Sequence, residues 1–263
     1  MSDEPLLVED PQDGVRVLTL NRPHRLNALD GDLVQRLLAE LGRAEREHPR
    51  VRVIVLRGAG TSFCPGADLK WLSSGILGDR VKHARFQDSL GQLGTRLMEA
   101  PQAVVASVHG YALAGGLEMA MACDVIVAAE DARLGDQHIN RGILPGAGGS
   151  QRLPRKIGQP RALYYLLTGR QMSGVEAAQA GLVSVCVSGE ELDSAALALA
   201  GELAAKEAHA INFMKQMVRR GSELPLKDAL ALELFLQSRY RTWSTKMDHA
   251  ASDFAEGNES GTG

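Results

Sequence analysis

Runs of β-branched and aliphatic residues recur along the chain, each followed by a glycine-containing turn and then by a stretch in which apolar residues return every three or four positions. The run VRVLTL at 15–20 predicts a strand, and Asp30 or Asp32 beyond it predicts the N-cap of a helix running to about His48. Residues 51–57 predict a second strand that ends in the loop GAGTSFCPGAD. A helix is predicted over 79–99, ahead of Pro101, and a third strand over 103–108. Another helix follows the pair Gly115-Gly116, and residues 124–128 return as a strand. The glycines at 146–149 open a further helix with Ser150 and Gln151 in its first turn, and 183–187 reads as a strand. Strands alternating with helices predict an α/β fold built by right-handed crossovers. That core is expected over 1–189. Residues 190–263 read as a helical region, with the polar, glycine-rich GNESGTG as a frayed tail.

Composition narrows the function classes. With 263 residues, 44% hydrophobic and 23% charged, the chain is long enough for a sizeable core. A net charge of -3 offers no electrostatic footprint for nucleic acid. The densest basic groups, at 152–156 and Arg219-Arg220, have no aromatic platform between them and read as solvated faces. No uncharged apolar run approaches the roughly 18 residues that span a bilayer. The start, MSDEPLLVED, is acidic and lacks the basic and apolar segments of a secretory signal. Three widely spaced cysteines, Cys64, Cys123 and Cys186, fit reduced thiols of a cytoplasmic protein better than a disulfide framework or a zinc site. Cys64 has a nucleophile as its alternative reading, but no neighbour in sequence reads as its base. No metal-ligand cluster appears.

The segment HGYALAGGLEMAMACDVIVA, residues 109–128, carries the sharpest chemical signal. The first N–H groups of a helix lack internal partners and sit at the positive end of its dipole, so an oxyanion at Gly115 is stabilised. Glu118 lies one turn further in among hydrophobic residues, which favours a desolvated carboxylate kept for proton transfer. The bland alternative is a solvated helical glutamate beside a packing glycine. Other signatures fall away. Gly146-Ala147-Gly148 begins like a dinucleotide loop, but Gln151 stands at the third glycine position and Pro145 replaces the preceding strand. Walker, His-Glu-x-x-His and Gly-x-Ser-x-Gly patterns are missing. Asp136 and His138 form a local pair whose side chains share a face if the segment is extended.

Taken together, the motifs resemble the enoyl-CoA hydratase/isomerase family, also called the crotonase family. NRPHRLNAL from Asn21, SFCPGADLK from Ser62, HGYALAGGLEMAMACDVIVA from His109, LGDQHINRGILPGAGGSQRLPRKIG from Leu134 and LTGRQMSGVEAAQAGLV from Leu167 match its signatures in order, across nearly the whole chain. The resemblance implies a crotonase-like spiral of ββα units with a C-terminal helical trimerisation region, assembled as a homotrimer or a hexamer made of two trimers. It implies acyl-CoA thioesters as substrates, coenzyme A entering as part of the substrate, and no permanently bound cofactor. By analogy the N–H groups of Ala67 and Gly115 form the oxyanion hole. Arg25, Leu26 and the segment Ala67, Asp68, Leu69, Lys70 match positions along the CoA path, although Asp68 and Lys70 also read as a helix cap and a solvated side chain.

One departure bears on the reaction. Family hydratases use two glutamates around the water, and Glu118 matches the first. The second position holds His138, in Asp-Gln-His-Ile where the hydratase pattern reads Gln-Pro-Glu-Ile. An imidazole titrates near neutrality, and Asp136 is placed to orient or charge it, so Glu118 and His138 together can replace the paired carboxylates. The alternative is a histidine that only shapes the acyl pocket. Asn140 and Arg141 stand where hydratases carry apolar residues, pointing to a polar or oxygenated acyl group. The expectation is a hydratase-type lyase working through a stabilised enolate. Isomerisation, decarboxylation, thioester or C–C hydrolysis, and a noncatalytic CoA-binding scaffold are the alternatives.

Overall fold

Residues 4–243 are described by a computed structural model. Among them, nine strands follow in chain order: β1 (Leu6–Gln12), β2 (Val15–Leu20), β3 (Val53–Gly58), β4 (Ala103–Val108), β5 (Tyr111–Leu113), β6 (Val125–Ala129), β7 (Arg133–Gly135), β8 (Met172–Ser173) and β9 (Val185–Val187). The helices are α1 (Gly31–Arg46), α2 (Leu69–Trp71), α3 (Arg80–Glu99), α4 (Gly115–Ala122), α5 (Gly149–Ile157), α6 (Gln159–Thr168), α7 (Gly174–Gln179), α8 (Leu192–Ala204), α9 (Ala208–Gly221) and α10 (Leu226–Trp243). A six-stranded sheet runs β1-β2-β3-β4-β6-β9, parallel except for the antiparallel β1 edge, and a smaller sheet runs β5-β7-β8. Strands buried on both faces read as continuous apolar runs. Accordingly, every residue of β2 and β4 is buried.

The ββα repeat is visible in how consecutive strands part company. β4 enters the large sheet, Gly110 turns the chain at φ 53°, β5 enters the small sheet, and α4 follows. β6 and β7 divide between the two sheets in the same way. A side chain at Gly110 would meet the Thr61 carbonyl oxygen at 2.1 Å, so this turn needs glycine twice over. Helix starts follow capping chemistry. Asp30 accepts from the Leu33 N–H at 2.9 Å, and Asp79 accepts from Val81 and Lys82 at 3.0 Å each. α1 then lays Leu33, Val34, Leu37 and Leu41 in the core, and its neighbour α3 adds Phe86, Leu90, Leu93 and Leu97. Each such leucine contributes about 1.5–3 kcal/mol by leaving water. One charge is buried in β2: Arg16, held by Asp10 and Glu47 at 2.9 Å each.

The chain forms two compact units, 1–206 and 207–263. The expected division at 189/190 is displaced because α8 packs on β2, β3, β4 and β6 through Leu192, Ala196, Ala200 and Ala204 and so completes the first unit. In the second unit α9 and α10 pack together, with Phe213 and Tyr240 rings 5.7 Å apart. Glu207 caps α9 through the Ala210 N–H at 2.6 Å and accepts from the Tyr240 hydroxyl at 3.2 Å. The expected frayed tail GNESGTG lies outside the described residues. No helix among those described is long and apolar enough to cross a membrane.

Candidate active site

Two backbone segments meet at the start of α4. The loop after β3 runs through Cys64 and Gly66, and Leu29 bridges Ala67 in parallel fashion: the Leu29 N–H donates to the Gly66 carbonyl and the Asp68 N–H to the Leu29 carbonyl, both at 2.8 Å. In a parallel bridge the bracketed residue turns its own N–H away from its partner. That residue is Ala67. On the other side, Gly115 is the first residue of α4, whose N–H has no intrahelical acceptor. A Cβ built on Gly115 would stand 3.8 Å from the Ala67 nitrogen, and one built on Gly66 would stand 3.1 Å from the Gly115 nitrogen. The Ala67 and Gly115 N–H groups are therefore neighbours, and neither has an acceptor among the described residues. Ala114 enters this corner at φ 47°, a conformation that costs a non-glycine residue about 1–3 kcal/mol and that clusters at functional sites.

Glu118 lies one turn into α4 with 2% of its surface exposed. Its Oε1 accepts two backbone N–H groups, from Ala147 at 2.9 Å and from Gly149 at 2.7 Å. Gly149 is the first residue of α5, so a second helix N-terminus faces this carboxylate. Oε2 is left to face His138, whose Nε2 stands 4.0 Å away. Burial pushes the Glu118 carboxyl above the usual carboxylate range and Asp136 adds to the rise, against the opposing pull of the Gly149 N–H, His138 and the Ala147 N–H.

His138 is tied down from behind. Asp136 Oδ1 lies 2.8 Å from His138 Nδ1 and accepts from the His138 backbone N–H at 3.2 Å. The pair meets through this turn, with His138 in a helical conformation, and not across one face of an extended strand. Burial opposes the charged imidazole, but the hydrogen bond and charge of Asp136, joined by Glu118, outweigh it and raise its pKa against the opposing charge of Arg141. Asp136 itself is 2% exposed, and its contact with the site runs through His138. With Nδ1 beside Asp136, Nε2 is the nitrogen left to face Glu118.

The other sequence candidates sort by exposure. Arg25, Leu26, Leu69 and Lys70 are exposed, and the charge of Arg25 reaches the Asp68 carboxylate. Asp68 is buried. Its Oδ1 caps α2 through the Lys70 and Trp71 N–H groups at 3.1 Å each, and its Oδ2 pairs with Arg22 at 3.0 Å, so its reading as a cap is the one realised. Asn140 donates its amide to Gln137 and to the Gly169 carbonyl at 3.1 Å each and anchors a loop. Arg141 is exposed, with its charge felt at His138. Cys64 is fully buried and its thiol is pushed up to about 12, which removes it as a nucleophile. Trp71 packs edge-on against Phe86, with ring centres 4.8 Å apart. Sequence reasoning missed the Ala147 and Gly149 amides. Their one signal was the glycine run at 146–149.

Comparisons with known proteins bear on the family and the fold. A sequence model of the enoyl-CoA hydratase/isomerase family matches residues 10–259. A Rhizobium meliloti protein named "probable enoyl-CoA hydratase" is 40% identical over 252 residues, 95% of this chain and 95% of its own length. The 2,3-dehydroadipyl-CoA hydratase of Escherichia coli is 38% identical over 227 residues, 86% of this chain and 87% of its own. Among solved structures, an enoyl-CoA hydratase from Bacillus anthracis superposes with a TM-score of 0.91 at 32% identity, covering 96% of both chains.

Proposed function

The chain belongs to the enoyl-CoA hydratase/isomerase family, and from that membership we propose that it adds water reversibly across the α,β double bond of an unsaturated acyl-CoA. It has the crotonase fold, and enzymes of this family act on CoA thioesters. The observation that carries the reading is the adjacency of two acceptor-free N–H groups, on Ala67 and Gly115, to a buried carboxylate whose free oxygen faces an imidazole.

In the proposed reaction the thioester oxygen accepts from both amides. Glu118 takes a proton from water as its oxygen bonds to Cβ, and the π electrons move onto the thioester oxygen as an enolate. Imidazolium at His138 then gives its proton to Cα. The proton on Glu118 returns to His138 across a 4.0 Å gap that a single oxygen bridges with two hydrogen bonds of ordinary length. Each amide donor at such an oxyanion is worth about 2.7–4 kcal/mol of transition-state stabilisation. Run backwards, the same groups dehydrate a 3-hydroxyacyl-CoA. Arg25, Leu26, Leu69 and Lys70 line the CoA path in this reading. Arg141, exposed near His138, favours an acyl group with a polar or oxygenated end.

No permanently held cofactor is needed for these steps. We place the enzyme in the cytoplasm, a reading supported by three cysteines, none of them in a disulfide among the described residues. Assembly as a trimer or a pair of trimers is supported by the apolar side chains that α9 and α10 leave exposed, among them Met214, Val218, Leu226, Leu230 and Leu234. Light scattering on the eluted protein reads the subunit number. The reaction itself is tested by mass analysis of products from a panel of acyl-CoAs in heavy-oxygen water. Hydration places the solvent oxygen at Cβ and keeps the thioester. Release of free CoA, loss of carbon dioxide or a shifted double bond without added oxygen overturns it.

A further inference from the structure

The turn from Arg22 to Asp30 closes over the loop that carries Ala67, and Arg22, its first residue, has no role in the steps above. Arg22 is 13% exposed. Its Nη2 lies 2.8 Å from Asp30 Oδ2 and 3.0 Å from Asp68 Oδ2, while Nη1 donates to the Ala28 carbonyl. Each of those carboxylates uses its other oxygen to cap a helix, Asp30 on α1 and Asp68 on α2. The three partners have a common meaning. Ala28 and Asp30 flank Leu29, Asp68 follows Ala67, and Leu29 with Ala67 is the bridge that turns the Ala67 N–H outward. One planar guanidinium thus grips both strands of a bridge only one residue long on each side.

A second tie holds the far end of the same turn. Asn27, fully buried at φ 64°, accepts from the Arg22 N–H at 2.9 Å and donates to the carbonyls of Ala59 and Ser62 at 2.8 and 2.7 Å. The loop carrying Ala67 is fixed at its entrance by Asn27 and at its exit by Arg22. An isolated bridge has no neighbouring ladder bonds to hold its register, so its geometry depends on such side chains.

We propose that Arg22 is a positioning residue for the oxyanion hole: through Asp30, Ala28 and Asp68 it holds the Ala67 N–H at the angle at which it meets the thioester oxygen beside Gly115. This rests on the oxyanion reading of Ala67 and Gly115. The fork matters as well as the charge, because a lysine ammonium cannot reproduce a planar set of donors aimed at three fixed acceptors.

The test uses the full chain with Arg22→Lys and Asp68→Asn, the latter keeping a capping oxygen while removing the charge that Arg22 grips. Butyryl-CoA labelled with carbon-13 at its carbonyl is the probe, and its C=O stretch is read by isotope-edited infrared spectroscopy at saturation. Wild-type protein is expected to lower that frequency, and both variants to move it back toward the value of free butyryl-CoA. For hydration of crotonyl-CoA, kcat is expected to fall about tenfold to a hundredfold while KM stays within about threefold, as for a donor displaced but not deleted. Thermal unfolding confirms that the variants remain folded, and Asp68→Asn decides the matter if Arg22→Lys does not fold. A frequency unchanged from wild type in a folded variant overturns the positioning role alone. A wild-type protein that fails to bind the probe or leaves its carbonyl unshifted overturns the oxyanion reading, and the role of Arg22 with it.

Discussion

Nε2 of His138 stands 4.0 Å from Oε2 of Glu118, too far for a direct hydrogen bond and close enough for each charge to act on the other. The pair is enclosed, so the attraction is screened less than it would be in water. Both groups are raised from their ordinary values, Glu118 first by burial and His138 by Asp136 and Glu118 against the effect of its own burial. The proposed reaction needs the base deprotonated and the acid protonated. A bell-shaped profile of kcat/KM against pH is therefore expected. Its acid limb lies above the ordinary carboxylate range as Glu118 loses its proton, and its alkaline limb lies above the ordinary histidine value as His138 loses its own. The two limbs belong to the pair as a unit. A profile without an alkaline limb removes His138 as the acid.

Asp136 sets the position of that limb. Its hydrogen bond and charge are the largest influences raising His138 against the cost of burial. Asp136→Asn keeps an oxygen for Nδ1–H but removes the charge, so the imidazolium loses support and its pKa falls. The alkaline limb is expected to move to lower pH. At pH 8 the loss in kcat is expected to be about tenfold or more, within the range general acid catalysis supplies, and smaller at pH 6. KM is expected to change little, because the side chain is buried behind His138. Profiles of wild type and variant measured side by side check this. A histidine that only shapes the pocket gives an alkaline limb that does not move.

Glu118→Gln separates turnover from binding. The substituted amide still offers Oε1 to the N–H groups of Ala147 and Gly149, so the fold around α4 and α5 is preserved. It cannot accept a proton from water. A loss in kcat of about 10²- to 10⁴-fold is expected, the usual worth of a positioned general base. Calorimetric titration with butyryl-CoA is expected to show affinity close to wild type, since the Ala67 and Gly115 amides are untouched. Equal activity in both proteins identifies another base.

The parts of this molecule that sequence reasoning reached are those where side-chain chemistry repeats along the chain. Strand β4 is apolar at all positions but Ser107 and β2 at all but Arg16 and Thr19, because both faces are covered, and α1 and α3 begin where Asp30 and Asp79 cap them. Strands β5, β7 and β8 have two or three residues each, too few for any period to appear. β1 is an exposed edge containing Pro11, and its pairing with β2 supplies what its composition does not. Within the site, Ala67, Gly115, Glu118, Asp136 and His138 were all legible as candidates. The amides of Ala147 and Gly149 were not, since every residue but proline carries the same N–H and only the fold decides which one points at a carboxylate. By sequence the glycine run at 146–149 reads as the opening of a helix, with only a broken likeness to a dinucleotide loop. In the structure it also cradles an anion of the protein's own, Glu118.

Gly149 makes that cradle testable against a glycine with no such neighbour. A Cβ at Gly149 would lie 2.7 Å from Asp136 Oδ2, 3.1 Å from Pro145 Cβ and 3.2 Å from Glu118 Oε1. Glu118 Oε1 accepts the Gly149 N–H itself and Asp136 is held through its other oxygen, Oδ1, by His138, so room for a methyl comes from shifting these two carboxylates or Pro145. Gly149→Ala is expected to lower stability by about 1–3 kcal/mol, the range for forcing a methyl into a packed interior. It is also expected to lower kcat at least tenfold, because about 1 Å of displacement in a catalytic group is enough for larger losses. Gly91, in the middle of α3, has nothing within 4 Å of its would-be Cβ. Gly91→Ala is expected to raise stability by about 0.5–1 kcal/mol, the ordinary helix preference for alanine, with kcat unchanged. Urea unfolding and steady-state kinetics on the two variants read both quantities. If Gly149→Ala unfolds and turns over like wild type, the backbone clamp on Glu118 carries no weight in catalysis.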